Sequence, residues 1–235
     1  ELRESVRTAG VRSVTSFVLR WNPLFETIKA LLGDGTIGRV FYAEVDYYHG
    51  VGPWYKQFEW NVKADIGGSS LLSAGCHAVD GLRWFMQDEI VEVMAYSTRG
   101  DGEPFDRYEY DPTAVLIARL ANGAVGKVSS CLESKMPYEF RIQLFGTEGT
   151  IRNNKIYAAN KFPGQTGFVT VPTILPDSGD VSHHPFQAEI DHLVDCIRNN
   201  VESHANIEDA AKTHEIVLAA DLSAQTGRPI SLPLL

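Results

Sequence analysis

The sequence predicts an α+β fold: a large, mostly antiparallel, open β-sheet with helices packed on one face. Three observations carry this. From residue 90 to about 172, apolar segments follow one another as strands, punctuated by Gly, Pro, Asn and Asp turns. Connections as short as Ala121-Asn122-Gly123 are hairpin signals, which join antiparallel neighbours. Two segments with helical spacing, 184–200 and 207–227, come after the strands instead of alternating with them.

Taken in order, residues 1–10 read as the end of an inter-domain helix, and the abrupt start suggests a fragment or a processed chain. VRSVTSFVLR (11–20) alternates and is β-branched, so it is expected as a strand. Asn22-Pro23 supplies a cap followed by proline at the first helical position, and the helix stops at Gly33. RVFYAEVDYY (39–48) is a second strand with Phe41, Ala43, Val45 and Tyr47 on one face. An aromatic loop, HGVGPWYKQFEW, leads to a helix over 70–86. VEVMAYST, TAVLIARL, AVGKVSSCLES, YEFRIQLFG and TIRNNKIYAA form the run of strands, and SLPLL ends the chain as an extended tail. Asn206 and Gly227 bracket the last helix. The 235 residues are expected to form one domain, 1–235, with no internal repeat.

Composition excludes several function classes. A net charge of -9 without a basic stripe argues against a nucleic-acid partner. Apolar runs are too short to span a bilayer. Cys76, Cys131 and Cys196 form no C-x-x-C pair, as a reducing, cytoplasmic compartment permits. His183, His184 and His192 could suggest a metal-dependent isomerase, but no carboxylate or cysteine stands at ligand spacing, so no metal is expected.

GDGTIG (33–38) matches the dinucleotide-binding G-x-G-x-x-G pattern by letter. That motif works only as strand, glycine turn, helix, with the pyrophosphate at the helix N-terminus. Here a helix precedes and a strand follows, so these glycines are a helix cap and turn residues.

On an ideal helix, Leu71, Leu72, Gly75, Ala78, Val79, Leu82, Phe85 and Met86 share one face. Ser70, Ser73, His77, Asp80 and Trp84 fall opposite, within an arc of roughly 80°. This polar stripe holds no Lys, Glu or Gln and reads as the wall of a pocket. Gly67 and Gly68 ahead of it permit close approach of a ligand or another backbone. His77 and Asp80 are three residues apart and can touch, which would fix the imidazole tautomer and raise its basicity. Equally, His77 can be a satisfied, half-buried histidine and Asp80 a tie to a neighbouring loop.

WNPLFETIKALLGDGTIGRV, the Trp-rich loop, GGSSLLSAGCHAVDGLRWF, YEFRIQLFGTEGTI and the closing FQAEIDHLVDCIRNN…GRPISLP, in this order, resemble the C-terminal domain of the glucose–fructose oxidoreductase/inositol dehydrogenase (Gfo/Idh/MocA) family. The resemblance implies a substrate-binding and oligomerisation domain of an NAD- or NADP-dependent oxidoreductase acting on a sugar, cyclitol or related polyol. It implies that an N-terminal Rossmann domain, absent from this chain, binds the cofactor, and that this chain alone is inactive. It also places His77 on the family's catalytic histidine and Asp80 on its second aspartate, while Ser73 stands where the first aspartate is usual. Ser73, Arg20, Asn22, Trp54 and Lys56 are then candidates for substrate binding, with Tyr55 and Trp60 nearby in the same loop. A homodimer or homotetramer through the open sheet face is expected. The rival reading is a non-catalytic binding or assembly module.

Overall fold

The computed structural model describes residues 1–176 and 184–234. Helix α1 (Leu2–Ala9) is followed by irregular chain, a 3₁₀ turn over Val18–Trp21 and helix α2 (Pro23–Gly33). Strand β1 (Val40–Tyr48) leads through the short α3 (Phe58–Asn61) to a π turn, Leu71–Gly75, that runs directly into α4 (Cys76–Met86). Then come β2 (Ile90–Thr98), β3 (Thr113–Leu120), β4 (Val125–Cys131), β5 (Glu139–Gly146), β6 (Thr150–Arg152), β7 (Lys155–Tyr157) and β8 (Val169–Thr170). Helices α5 (Phe186–Asn199) and α6 (Ile207–Thr226) and the short β9 (Ile230–Ser231) close the described chain.

The strands form one open sheet in the order β8-β7-β6-β5-β1-β4-β3-β2-β9. Its described pairs are antiparallel except β1 with β4, which run parallel in a register that sets Val45 opposite Val128. Alternation decides the two faces. Ala43, Val45, Val93, Leu116, Val128, Ile142 and Leu144 point to one side and pack with Val79, Leu82 and Phe85 of α4 and Val217 and Ala220 of α6. Among the described residues nothing covers the other face. It carries Tyr96 (67% exposed) and Ile117 (54%), beside a polar cluster in which Asp46 accepts from Lys127 Nζ at 2.8 Å and from the Ser129 amide at 2.8 Å.

Helix limits follow local chemistry. Asn22 Oδ1 accepts from the Leu24 amide at 2.9 Å, and Pro23 begins α2. Asn206 Oδ1 accepts from the amides of Glu208 and Asp209, and Gly227, at φ 66°, ends α6. The GDGTIG segment lies between the end of α2 and the start of β1, with Gly35 and Gly38 at φ 68° and 69°. It is a turn from helix to strand, not a phosphate cradle.

Four local expectations are corrected. Residues 11–17 are not a strand, because alternation needs a neighbouring ladder and none lies beside them among the described residues. Their backbone holds on to the α5–α6 connection instead, through Thr15 N–H and the Ala205 carbonyl (2.7 Å). TIRNNKIYAA is two strands, β6 and β7, because Asn153 turns the chain at φ 50°. The tail pairs with β2, Ser231 opposite Glu92. Finally, the aromatic loop contains α3. Among the described residues no helix is long and apolar enough to cross a membrane, and no group of three or more His, Cys, Asp and Glu could hold a metal ion. His183 lies outside the described residues.

Candidate active site

The π turn is the local feature that shapes the site. Gly75 lets it lie against β4, since a Cβ there would stand 2.7 Å from the Ser130 Cβ. Gly67 serves a similar end, because a Cβ on it would meet the Asn61 carbonyl oxygen at 2.1 Å. The close approach that Gly67 permits is thus to another backbone. A π turn also breaks the 100° spacing of an ideal helix, so the polar stripe does not line one continuous wall. Its members are dealt out to separate surroundings. Ser70 is buried over β4, Ser73 and His77 face one cavity, Asp80 enters an ion-pair network, and Trp84 lies between two cations.

The cavity of Ser73 and His77 has a volume of about 190 Å³ and opens between the 3₁₀ turn, the π turn and the start of α5. Tyr47, Tyr55, Tyr138 and His184 complete its polar wall, and Leu19 and Phe186 its apolar one. Tyr47 and Tyr138 meet edge to face at 5.5 Å, and His49 packs on both. Burial raises the Tyr47 phenol well above its ordinary pKa, so it stays protonated and can donate. Ser73 Oγ donates to the Ser69 carbonyl at 2.8 Å and lies 3.2 Å from the Tyr110 hydroxyl.

His77 Nδ1 is sequestered from solvent and has no hydrogen-bond partner among the described residues. Its ring stands edge-on to Phe17 at 6.0 Å. Burial, with smaller contributions from His184 and His214, lowers its pKa to about 4. The imidazole is therefore neutral at physiological pH, as an acceptor of a proton or hydrogen bond needs.

Asp80 does not contact His77. Its carboxylate, 2% exposed, takes both prongs of the Arg20 guanidinium, with Nε–H donating to Oδ2 at 2.8 Å, and it also accepts from Thr213 Oγ1 at 3.2 Å. Burial pushes the Asp80 carboxyl up, against the pull of Arg20. Arg20 also reaches Asp209, which Arg83 holds from the other side at 2.9 Å. This network ties α4, α6 and the 3₁₀ turn together beneath the cavity. Arg20 is thus committed to ion pairs and Asn22 to capping α2. Trp54 is 64% exposed but stands 5.4 Å from the His49 ring, at the rim of the aromatic cluster. Lys56 and Trp60 are exposed and line neither the cavity nor the core.

Sequence reasoning missed Tyr138, His184 and Phe186 as wall residues. Tyr138 arrives with the start of β5, whose pairing with β1 (Tyr48 opposite Glu139) sets it beside Tyr47. Only that register, not a local pattern, could have shown it. Tyr47 shares a face of its strand with Ala43 and Val45, as the sequence predicts, whereas Phe41 is exposed because the ladder with β5 shifts between Val40 and Tyr42.

The sequence profile of the GFO/IDH/MocA C-terminal domain matches residues 25–152. The chain is 23% identical over 240 residues to scyllo-inositol 2-dehydrogenase (NAD(+)) of Bacillus subtilis, covering 97% of this chain and 65% of that protein. It is 25% identical over 241 residues to D-apiose dehydrogenase of Paraburkholderia graminis, covering 95% of this chain and 60% of that protein. It therefore spans less than two thirds of the length of both relatives. In fold it is similar to aldose-aldose oxidoreductase from Caulobacter crescentus, solved with glycerol, at TM-score 0.78 and 20% identity over 98% of this chain and 67% of that one. The profile match takes in β1, the π turn, α4 and the strands behind the cavity, and on it the chain belongs to the GFO/IDH/MocA C-terminal domain family.

Proposed function

We propose that this chain is the substrate side of an NAD- or NADP-dependent oxidoreductase acting on a sugar, cyclitol or related polyol. The observation that carries the reading is the neutral imidazole of His77 in the wall of a tyrosine-lined cavity. The relatives are oxidoreductases, including an NAD(+) enzyme of an inositol and a dehydrogenase of a pentose. GDGTIG is a helix-to-strand turn, so in this reading the dinucleotide is held mainly by a separate cofactor domain, and α1 belongs to the connection between the two.

When bound, the nicotinamide supplies the hydride acceptor or donor. Oxidising a carbinol then leaves one task for this chain, removal of the hydroxyl proton as the carbonyl forms. His77, neutral and uncommitted, takes that proton and returns it in the reverse direction. Tyr47, Tyr55 and Tyr138 place phenols against substrate hydroxyls and ring faces against its C–H groups. Asp80 acts from below through Arg20, fixing the helix that carries His77. With Ser73 in place of a carboxylate, no anion supports the imidazole from within the helix, and Ser73 orients a substrate hydroxyl instead.

The test joins this chain to a relative's cofactor domain and assays a polyol panel. Turnover should fall by roughly 10²- to 10⁴-fold in His77→Ala, and unchanged turnover removes His77 from the mechanism. We further propose that the uncovered sheet face buries against a second copy, on the strength of its exposed Tyr96 and Ile117. Ile117→Glu should then lower the mass measured in dilute solution by light scattering.

A further inference from the structure

A second cavity, of about 340 Å³, lies on the other side of the π turn, between the 68–71 segment, the ends of β2 and β3 and the last turns of α6. It shares a wall with the first. Tyr110 lines it and sends its hydroxyl to within 3.2 Å of Ser73 Oγ, which faces the candidate active site. Three polar groups in this second cavity are poorly used. Ser70, 1% exposed, has a hydroxyl with no partner among the described residues. Asp221 accepts from Ser69 Oγ at 2.8 Å and makes no ion pair among the described residues, and burial pushes its carboxyl up. Gln225, an exposed residue that lines the cavity, leaves its amide open to a ligand. Arg99 adds donors at the rim, and Ala95, Ala220 and Ala224 give an apolar floor.

From this geometry we infer a second binding site, for a neutral, monosaccharide-sized polyhydroxylated molecule. The chemistry selects that class. An anion would face Asp221 and Glu109 while Arg99 is already paired with Asp111, and an amine has donors only, leaving the amide donor of Gln225 unmatched. Hydroxyls both donate and accept, so one ring can serve Asp221 and Gln225 together while its C–H face covers the alanines. The volume lies at the small end of ligand cavities.

The inference does not rest on the proposed activity, and its test needs no cofactor. Saturation-transfer NMR on this chain would use D-glucose and myo-inositol as polyol probes and n-propylamine as the cationic one. The measurement is made in His77→Leu, which removes the imidazole from the wall of the first cavity. Polyol binding should persist there, and adding Asp221→Ala or Gln225→Ala should weaken it by roughly ten-fold each. Polyol binding that vanishes in His77→Leu, that ignores both further substitutions, or that gives way to propylamine alone overturns the inference. Turnover of the fused enzyme is judged separately, so each proposal can fail without the other.

Discussion

His77 and Asp80 sit three residues apart on one helix and face different surroundings. His77 lines a cavity and leaves its buried Nδ1 without a partner among the described residues, whereas Asp80 spends its oxygens on Arg20 and Thr213. Removing Asp80 strands the buried Arg20 guanidinium with Asp209 as its remaining carboxylate. Asp80→Ala should cost about 3 kcal/mol or more in urea unfolding, as breaking one partner of a buried pair does. Ser73→Asp tests the other departure. A carboxylate near the imidazole favours its charged form, so the His77 titration midpoint should move up from about 4, measured by ring-proton NMR. These residues were legible as candidates because helical periodicity took them off the packing face. What each one touches was not, since Arg20 lies 60 positions from Asp80 and Tyr110 lies 37 from Ser73. Such partners are set by topology, which single-residue patterns do not encode.

At the scale of elements, α2, α4, α5 and α6 were readable from caps and spacing, and β1 to β5 from alternation. The failures share a cause. Residues 11–17 have a strand's pattern without a ladder beside them, and periodicity records side-chain preference but not pairing. The π turn was equally hidden, because its sequence, LLSAG, also suits an α-helix. Its consequence is large, since it parts Ser70 from Ser73 and so parts two cavities. Its seat on β4 depends on Gly75. Gly75→Ala forces a methyl against Ser130, and overpacking of this kind costs about 1–3 kcal/mol. Thermal unfolding should show that loss, and Ser130→Gly in the same chain should recover part of it.

For the molecule as a whole, the pH dependence of stability has a definite sign. Above pH 6.5, the ordinary histidine value, His77 is neutral folded and unfolded and contributes no slope. Between 6.5 and about 4 the unfolded chain binds a proton that the folded chain refuses, so stability falls as pH falls. Below that window the contribution levels off. The loss from this one residue should be on the order of 2 kcal/mol, allowing for its partial exposure. It is read as the difference between the native chain and His77→Leu in urea unfolding at pH 7 and pH 5. The parallel β1–β4 pair bears on something else, the order of assembly. β3 and β4 are joined by a tight turn and β2 pairs with β3 across the 99–112 connection, so these three can zip locally, but the bond from the Ser129 amide to Asp46 closes a loop of 83 residues. Contacts of such separation form late, because loop entropy must be spent before they give anything back. Tyr47 on β1 and His77 on α4 both belong to that closing segment. The meander of β2 to β4 should therefore exist for a time with no cavity beside it, and binding competence should be the last property the refolding chain regains.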